Sequence, residues 1–250
     1  MKATSIFRLF VFFILGLTYA EAKIVQVNEE NGGIAVEEYL PGYQHHDGLW
    51  FDAKEHLSYE PLANHIYQHL IAQKNVTTIL ELGAGAGSLA YHLRQLDPTL
   101  TIVTVDGNQD TVMSPYIDKE THFIARTDKD LDFFYENGER VIFDLVLSFE
   151  HFEHIQHDSF PVFLNNLRKH ISKKSLCFCT AANWGGPGIY EPHCNVKTLK
   201  QWQLYLRNQG FACENTSHLG DIPTPFNFSW PATSKLLFRL NRKCPCNQGS

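Results

Sequence analysis

One segment constrains the fold of this chain more than any other: an apolar strand, a glycine-rich turn and the start of a helix. The strand is predicted over 78–82, the turn contains Gly83, Gly85 and Gly87, and the helix follows from Ser88. Glycine has no Cβ, so a turn with alternate glycines can bend sharply and approach a ligand closely. The helix directs its first N–H groups at that ligand. The segment therefore predicts a binding loop, although a strand-to-helix turn can also need glycine for packing alone.

Two acids narrow the class of ligand. Glu81 precedes the first glycine by two positions, and Ser88 stands where a dinucleotide fingerprint would have its third glycine. The next predicted strand, over 101–105, ends at Asp106, where doubly wound folds hold the ribose hydroxyls of a nucleotide. Loop and acid together predict a nucleotide-binding site. The alternative is a solvated aspartate in the turn that precedes Gly107.

The rest of the chain alternates strands with helices. This alternation predicts an α/β fold with a mostly parallel sheet and helices on both faces. Ligands of such folds bind at the carboxyl ends of the strands. Further strands are predicted over 122–125, 143–148, 175–180 and 235–240, and helices over 62–71, 160–171 and 199–206, the last of which ends before Gly210.

Length and charge exclude several classes of protein. The 250 residues, 44% of them hydrophobic, are enough to bury the core of one such domain. The net charge is −6 and no Lys/Arg cluster offsets it. This balance argues against a general nucleic-acid or anionic-membrane binder, and no nucleic-acid partner is expected.

The first residues are typical of a secretory signal. Lys2 and Arg8 flank the front of an apolar run over 9–17, and Ala20-Glu21-Ala22 provides a small-x-small cleavage site. The run is shorter than the ~20 apolar residues that a membrane-spanning helix needs. The pattern predicts a signal peptide over 1–22, cleaved after Ala22 or Ala20, with no membrane contact afterwards. The alternative is an uncleaved signal anchor.

Sequons and cysteines also bear on the compartment. Asn75, Asn215 and Asn227 each begin a glycosylation sequon. The six cysteines form an even number, which permits disulfides in an oxidising lumen. Cys177 and Cys179 share one face of a predicted core strand and are expected to be buried thiols. These features predict a secreted or lumenal glycoprotein.

A cluster of ionisable residues follows the predicted strand over 143–148. Glu150, Glu153 and His154 have the i, i+3, i+4 spacing that places side chains on one face of a helical turn. Two carboxylates and an imidazole can hold a divalent cation or act as acid and base. The alternative is a polar helix start, because acids favour the positive end of a helix. In that case His151 is an exposed residue.

These motifs resemble those of known methyltransferases. Residues 81–87 read E-x-G-x-G-x-G, which resembles the first motif of class I S-adenosylmethionine (SAM) methyltransferases. Glu-x-x-Glu-His over 150–154 resembles ubiquinone-pathway O-methyltransferases and small-RNA 2′-O-methyltransferases, in which those side chains bind a metal. The resemblance implies a class I methyltransferase-like Rossmann fold with a doubly wound, mostly parallel seven-stranded sheet.

Roughly residues 45 to 240 are similar to a little-described group of class I methyltransferase-like proteins. That group usually ends in G-G-x-G-H-x-N, whereas here residues 189–192 separate the glycine from His193. The implied organisation is a signal peptide over 1–22, an N-terminal segment or lid over 23–60, a SAM-binding domain over 61–242 and a tail over 243–250. The matching segments are 48–52, 106–108, 143–148 with 153–155, and 184–188 with His193 and Asn195.

The resemblance also implies roles for individual residues. The metal ligands would be Glu150, Glu153 and His154, with His193 as a further candidate, and the cation Mg²⁺ or Mn²⁺. His154 and Glu153 would assist removal of a proton from the acceptor. The residues implied to bind SAM are Glu81, Gly83, Gly85 and Gly87 at the methionine end, Asp106 at the ribose, Asn108 and Asp128 near the adenine, and Phe149 at the sulfonium.

Three functions are compatible with the sequence. The first is SAM-dependent O-methylation of a small-molecule or glycan acceptor in the secretory pathway. The second is ligand binding without turnover, since a fold by itself does not specify catalysis. The third is metal-dependent methylation of a nucleic acid, which the charge and the signal peptide oppose. The sequence leaves the oligomeric state open.

Overall fold

The computed structural model describes residues 24–26, 53–185, 193–223 and 233–241. The predicted signal peptide, the motif over 48–52, the sequon at Asn227 and the residues 189–192 lie outside this part. Among the described residues, no helix is long and apolar enough to cross a membrane.

The described chain forms strands and helices in alternation. The strands are β1 (Ile24–Gln26), β2 (Thr78–Leu82), β3 (Thr101–Asp106), β4 (His122–Ile124), β5 (Phe133–Tyr135), β6 (Phe143–Ser148), β7 (Ile171–Ala182), β8 (Phe211–Glu214) and β9 (Thr233–Leu240). The helices are α1 (Ala53–Ser58), α2 (Glu60–Ile66), which continues as a π-helical turn over Tyr67–Ile71, α3 (Ser88–Leu96), α4 (Phe160–His170) and α5 (Leu199–Asn208). Short 3₁₀ turns cover Gln109–Met113, Phe152–His154 and Ser217–Leu219.

Seven strands form one sheet in the order β4-β3-β2-β6-β7-β9-β8. The first five are parallel, and β9 runs antiparallel to both of its neighbours. The predicted mostly parallel, seven-stranded α/β fold is therefore confirmed. From β2 the chain winds outward through β3 and β4, and from β6 it winds the other way through β7. The strand order thus reverses between β2 and β6, and doubly wound folds bind ligands in the crevice at such a point.

Apolar residues cover both faces of the sheet, because successive side chains of a strand point to opposite sides. Leu80 and Leu82 of β2 pack with α4 and α5 on one face. Ile79 packs with α2 and α3 on the other. Two buried layers on a single sheet explain why the central strands read as continuous apolar runs.

Local signals set several element boundaries. Helix α5 begins after Thr198, whose hydroxyl accepts the N–H of Gln201 while the Gln201 side chain accepts the N–H of Thr198. Gly210 follows this helix with a φ of 83°. Ile171 was predicted as the last residue of the preceding helix, but it is extended and pairs with Phe143 as the first residue of β7.

Candidate functional site

The glycine loop lies at the carboxyl end of β2. Gly83, Gly85 and Gly87 all have left-handed φ angles, of 72°, 52° and 76°. A Cβ on Gly85 would meet no atom within 4 Å, so the middle of the loop faces open space. The loop therefore combines a backbone that favours glycine with room for a ligand against it.

Asp106 holds this loop in place from the end of β3. Its Oδ2 accepts the N–H of Gly85 at 2.7 Å, and its Oδ1 accepts the N–H of Asn108 at 2.8 Å. Desolvation raises the pKa of Asp106, and these two hydrogen bonds oppose the rise. A carboxylate has about four lone-pair sites, so Asp106 can still accept hydrogen bonds from ligand hydroxyls.

Glu81 is buried beneath the loop, with 5% of its surface exposed. The backbone N–H of Ala90, in the first turn of α3, opposes the rise in the pKa of Glu81 that burial causes. Gly87 at the N-cap position has no side chain that could cap this helix. The second carboxylate oxygen, Oε2, is buried without a hydrogen-bond partner. It is the kind of orphaned acceptor that a ligand donor can satisfy.

The neighbouring strand β6 ends in a strained turn. The hydroxyl of Ser148 donates to the carbonyl of Leu82 at 3.0 Å and so joins the ends of β6 and β2. Two residues later Glu150 has a φ of 47°, a conformation that non-glycine residues seldom adopt and that is common at functional sites. The N–H of Glu150 donates to the hydroxyl of Thr180 at 3.2 Å, and its carboxyl group is close enough to Glu153 that the two affect each other's pKa. The ionisable residues His151, Glu153 and His154 follow this turn directly.

Glu153, His154 and His193 come together beside this turn, each with one potential ligand atom within 4.8 Å of the others. Glu153 is fully buried, its Oε1 accepts the N–H of Ala182 at 3.0 Å, and its Oε2 has no hydrogen-bond partner. Burial raises the pKa of Glu153 well above its usual range, and the nearby Glu150 carboxyl raises it further.

His193 is oriented by the backbone. Its Nδ1 lies 2.8 Å from the carbonyl oxygen of Trp184, which can only accept, so Nδ1 carries the proton and Nε2 the lone pair. Metal-binding histidines commonly have this arrangement. The donor set therefore fits a divalent cation.

The observed arrangement differs from the prediction that Glu150, Glu153 and His154 share one face of a helical turn. Residues 152–154 form a single 3₁₀ turn, and the group of three contains His193 in place of Glu150. Glu150 lies near the group, since its carboxyl raises the pKa of Glu153.

A family model for a methyltransferase domain matches residues 53–216, about two thirds of the chain. The chain belongs to this methyltransferase family. A search of curated proteins finds no significant match. The fold and the family together make the chain a class I SAM-dependent methyltransferase.

Solved methyltransferase structures share this fold. The plantazolicin methyltransferase BpumL, in complex with SAH, is 13% identical, with a TM-score of 0.53 over 76% of this chain and 86% of BpumL. A SAM-dependent methyltransferase from Clostridium acetobutylicum is 11% identical, with a TM-score of 0.52 over 73% of this chain and 92% of the other. The mitomycin 7-O-methyltransferase MmcR is 10% identical, with a TM-score of 0.51 over 74% of this chain and 54% of MmcR. At these identities the similarity establishes the fold.

Three other residues predicted to bind SAM lie around the crevice of the methyltransferase. The Oδ1 of Asn108 accepts the N–H of Asp110 and caps a 3₁₀ turn. Asp128 is buried, and both of its carboxylate oxygens pair with Arg126, at 2.9 and 2.7 Å. Phe149 is half-buried and packs edge-on against Phe178, with 5.5 Å between the ring centroids.

His151 is a site residue that sequence reasoning missed. Its Nε2 lies 2.8 Å from the hydroxyl oxygen of Thr127, and its ring fills the space beside Gly83. Burial lowers the pKa of His151 to about 3, so the ring is neutral. The prediction of an exposed His151, made for the case in which this segment is only a polar helix start, is therefore wrong. The available signal was its position after β6, because neighbouring parallel strands end at the same edge of a sheet.

The burial of Glu81 predicts a pH-dependent stability. Burial raises the pKa of Glu81 from 4.5 to about 8. The folded methyltransferase therefore holds a proton that the unfolded chain releases, and the free energy of unfolding should fall as pH rises from 4.5 to 8. In urea unfolding, the free energy of unfolding of Glu81→Gln should fall less over this pH range than that of wild type. Above pH 8 the variant should be the more stable of the two. Glu120→Gln, at an exposed glutamate, is the control. The raised pKa of Glu81 would be contradicted if the free energy of unfolding changed with pH equally in wild type and in Glu81→Gln.

Proposed function

We propose that this methyltransferase transfers the methyl group of SAM to a hydroxyl of a small molecule or glycan in the secretory pathway. The observation that carries the proposal is the group of Glu153, His154 and His193 at the end of β6, next to the strand that leads into the glycine loop. A hydroxyl is a weak nucleophile until its proton is removed or its pKa lowered. A buried carboxylate and two imidazoles beside the cofactor loop suit that task.

The crevice offers the groups that SAM requires. SAM supplies an electrophilic methyl group on a sulfonium, so the protein must align the acceptor and exclude water. We assign the orphaned Oε2 of Glu81 to the ammonium group, whose positive charge would favour the ionised form of Glu81, and Asp106 to the ribose hydroxyls. The open space at Gly85 takes the methionine portion.

Other residues complete this proposed site. Asn108 and Asp128 flank the adenine, and Phe149 lies at the end of β6, facing the sulfonium. The ion pair with Arg126 keeps Asp128 fixed at its place after β4.

A divalent cation is part of the proposal. The Oε2 of Glu153, the Nε2 of His193 and a ring nitrogen of His154 would hold it, and Glu150 would add a second carboxylate through its contact with Glu153. Carboxylates suit Mg²⁺, and the imidazoles also suit Mn²⁺. The cation would lower the pKa of the acceptor hydroxyl. Without a cation, His154 or Glu153 would instead receive the proton.

The function is tested by calorimetry with SAM, followed by transfer from methyl-labelled SAM to a panel of hydroxyl-bearing small molecules and glycans. We expect SAM to bind and label to appear as a methyl ether. Labelling confined to nitrogen acceptors or to RNA would overturn the O-methylation proposal. SAM binding without any transfer would favour a binding protein that has lost turnover.

The secretory assignment rests on the N-terminal pattern over 1–22 and on the sequons. Asn75 and Asn215 are exposed and accessible for glycosylation. Cys177 and Cys179 are buried free thiols, as predicted, and Cys194 and Cys213 are also unpaired. A disulfide in the mature protein would therefore involve cysteines beyond the described residues.

Expression of the full chain in eukaryotic cells should yield a protein that begins near Lys23, because the signal is removed during translocation. Mass spectrometry should show this N-terminus and glycan on at least one of Asn75, Asn215 and Asn227. Removing a used sequon, for example by Asn215→Gln, should lower the mass by one glycan. A cytosolic species that retains Met1 and carries no sugar would contradict the assignment.

A further inference from the structure

His151 connects three loops of the methyltransferase at the edge of the sheet where SAM is proposed to bind. Its backbone follows β6, its ring lies against Gly83 after β2, and its Nε2 contacts Thr127 after β4. No other role in the proposed chemistry uses this imidazole.

The contact with Gly83 depends on the absence of a side chain there. A Cβ on Gly83 would lie 2.6 Å from Cγ and Nδ1 of the His151 ring, far closer than atoms pack. Gly83 also has a φ of 72°. The ring therefore occupies the volume that the glycine leaves, and it limits how far the start of the loop can move toward β6.

The opposite edge of the His151 ring is held by a hydrogen bond with Thr127, which is itself bonded to α4. The hydroxyl of Thr127 is 2.8 Å from Nε2 of His151, and the carbonyl of Thr127 accepts Nδ2 of Asn166 in α4 at 3.1 Å. The same Asn166 accepts the N–H of Leu131 at 3.2 Å. A chain of contacts thus runs from α4 through Thr127 and His151 to the glycine loop.

Volume alone does not require a histidine at this place. A leucine fills similar space without the cost of burying a polar ring. The hydrogen bond to Thr127 adds a defined ring orientation, which an aliphatic side chain lacks. That orientation determines where the ring meets Gly83.

We propose that His151 is a positioning residue for SAM. Its hydrogen bond with Thr127 fixes the ring, and the ring holds the backbone of Gly83 in the position that SAM binding requires. The inference rests on the proposed binding of SAM at the glycine loop. The rival explanation is packing alone, in which the pair contributes to stability and not to affinity.

The test measures SAM affinity by calorimetry on the full chain. Thr127→Val keeps the shape of the side chain and removes the hydroxyl, and His151→Leu removes the ring nitrogen. Each should weaken SAM binding by about threefold to tenfold, the range expected for one hydrogen bond. Thr127→Ser, which retains the hydroxyl, should bind SAM within about twofold of wild type. The double variant should bind no more weakly than His151→Leu alone, because both changes break one interaction.

A second threonine–histidine pair offers a matched control. The Thr104 hydroxyl of β3 lies 2.8 Å from Nδ1 of His122 in β4, and both residues are buried. Thr104→Val should lower the melting temperature about as much as Thr127→Val and leave SAM affinity unchanged.

Three results would overturn the inference. The first is wild-type affinity in Thr127→Val and His151→Leu, and the second is an equal loss of affinity in Thr104→Val. The third is additive losses in the double variant, which would exclude the shared hydrogen bond as the cause. A wild-type chain that fails to bind SAM would instead overturn the proposed function, and this inference with it.

Discussion

Gly85→Val is expected to abolish SAM binding while the methyltransferase stays folded. A Cβ on Gly85 meets no protein atom within 4 Å, so we expect the valine to fit the fold and to fill the space assigned to the cofactor. The backbone cost arises from the φ of 52°, and for one residue it is about 1–2 kcal/mol. Calorimetry with SAM, combined with thermal unfolding, separates the two effects.

Gly138→Val is the matched control for this experiment. Gly138 has a φ of 84° and open space around its missing Cβ, but it lies in the turn that leads to the amino end of β6. Its substitution should lower stability to a similar extent and leave SAM binding intact. Equal binding by wild type and Gly85→Val would show that the cofactor site has been placed wrongly.

Asp106→Ala provides a second measurement at the same site. It should weaken SAM binding by about 1–3 kcal/mol, because hydrogen bonds to a charged carboxylate are lost. Part of this loss would come from the Gly85 N–H, which Asp106 holds at 2.7 Å.

The other large effect is expected for Glu153→Gln. The variant keeps the shape of the side chain and an oxygen for the N–H of Ala182, but it removes a group that can release and accept a proton or bind a cation next to His154 and His193. Methyl transfer should fall by about 10²-fold or more, the range for loss of proton-transfer assistance. SAM affinity should be unchanged. Wild-type activity should fall with chelator and return with Mg²⁺ or Mn²⁺, and the variant should lose this response.

Glu150→Gln is the comparison for that variant, because Glu150 lies outside the close group and contacts it through Glu153. Its effect on methyl transfer should be smaller. Methylation that is insensitive to chelator would rule out the metal, while the SAM site would stand.

Several parts of the fold could be predicted because their signals are local. The strand, glycine turn and helix over 78–96 lie in consecutive residues, and Asp106 ends the next apolar strand. The short strands β1, β5 and β8 were missed. They contain three or four residues each, too few for an alternating pattern to be recognised. Ile171 was assigned to the wrong element because its apolar side chain suits both the helix and the strand.

The sequence by itself determined the fold family, because the apolar periodicity and the glycine-loop motif are properties of neighbouring residues. It also grouped Glu150, Glu153 and His154 as candidate ligands, and the resemblance to known methyltransferases added His193. Only the tertiary structure decided that His193 takes the place of Glu150 in this group, and that His151 faces Gly83 and Thr127. Such contacts join residues from different strands. They depend on the order in which parallel strands pair and on the backbone turn at Glu150, and neither follows from the spacing of residues along the chain.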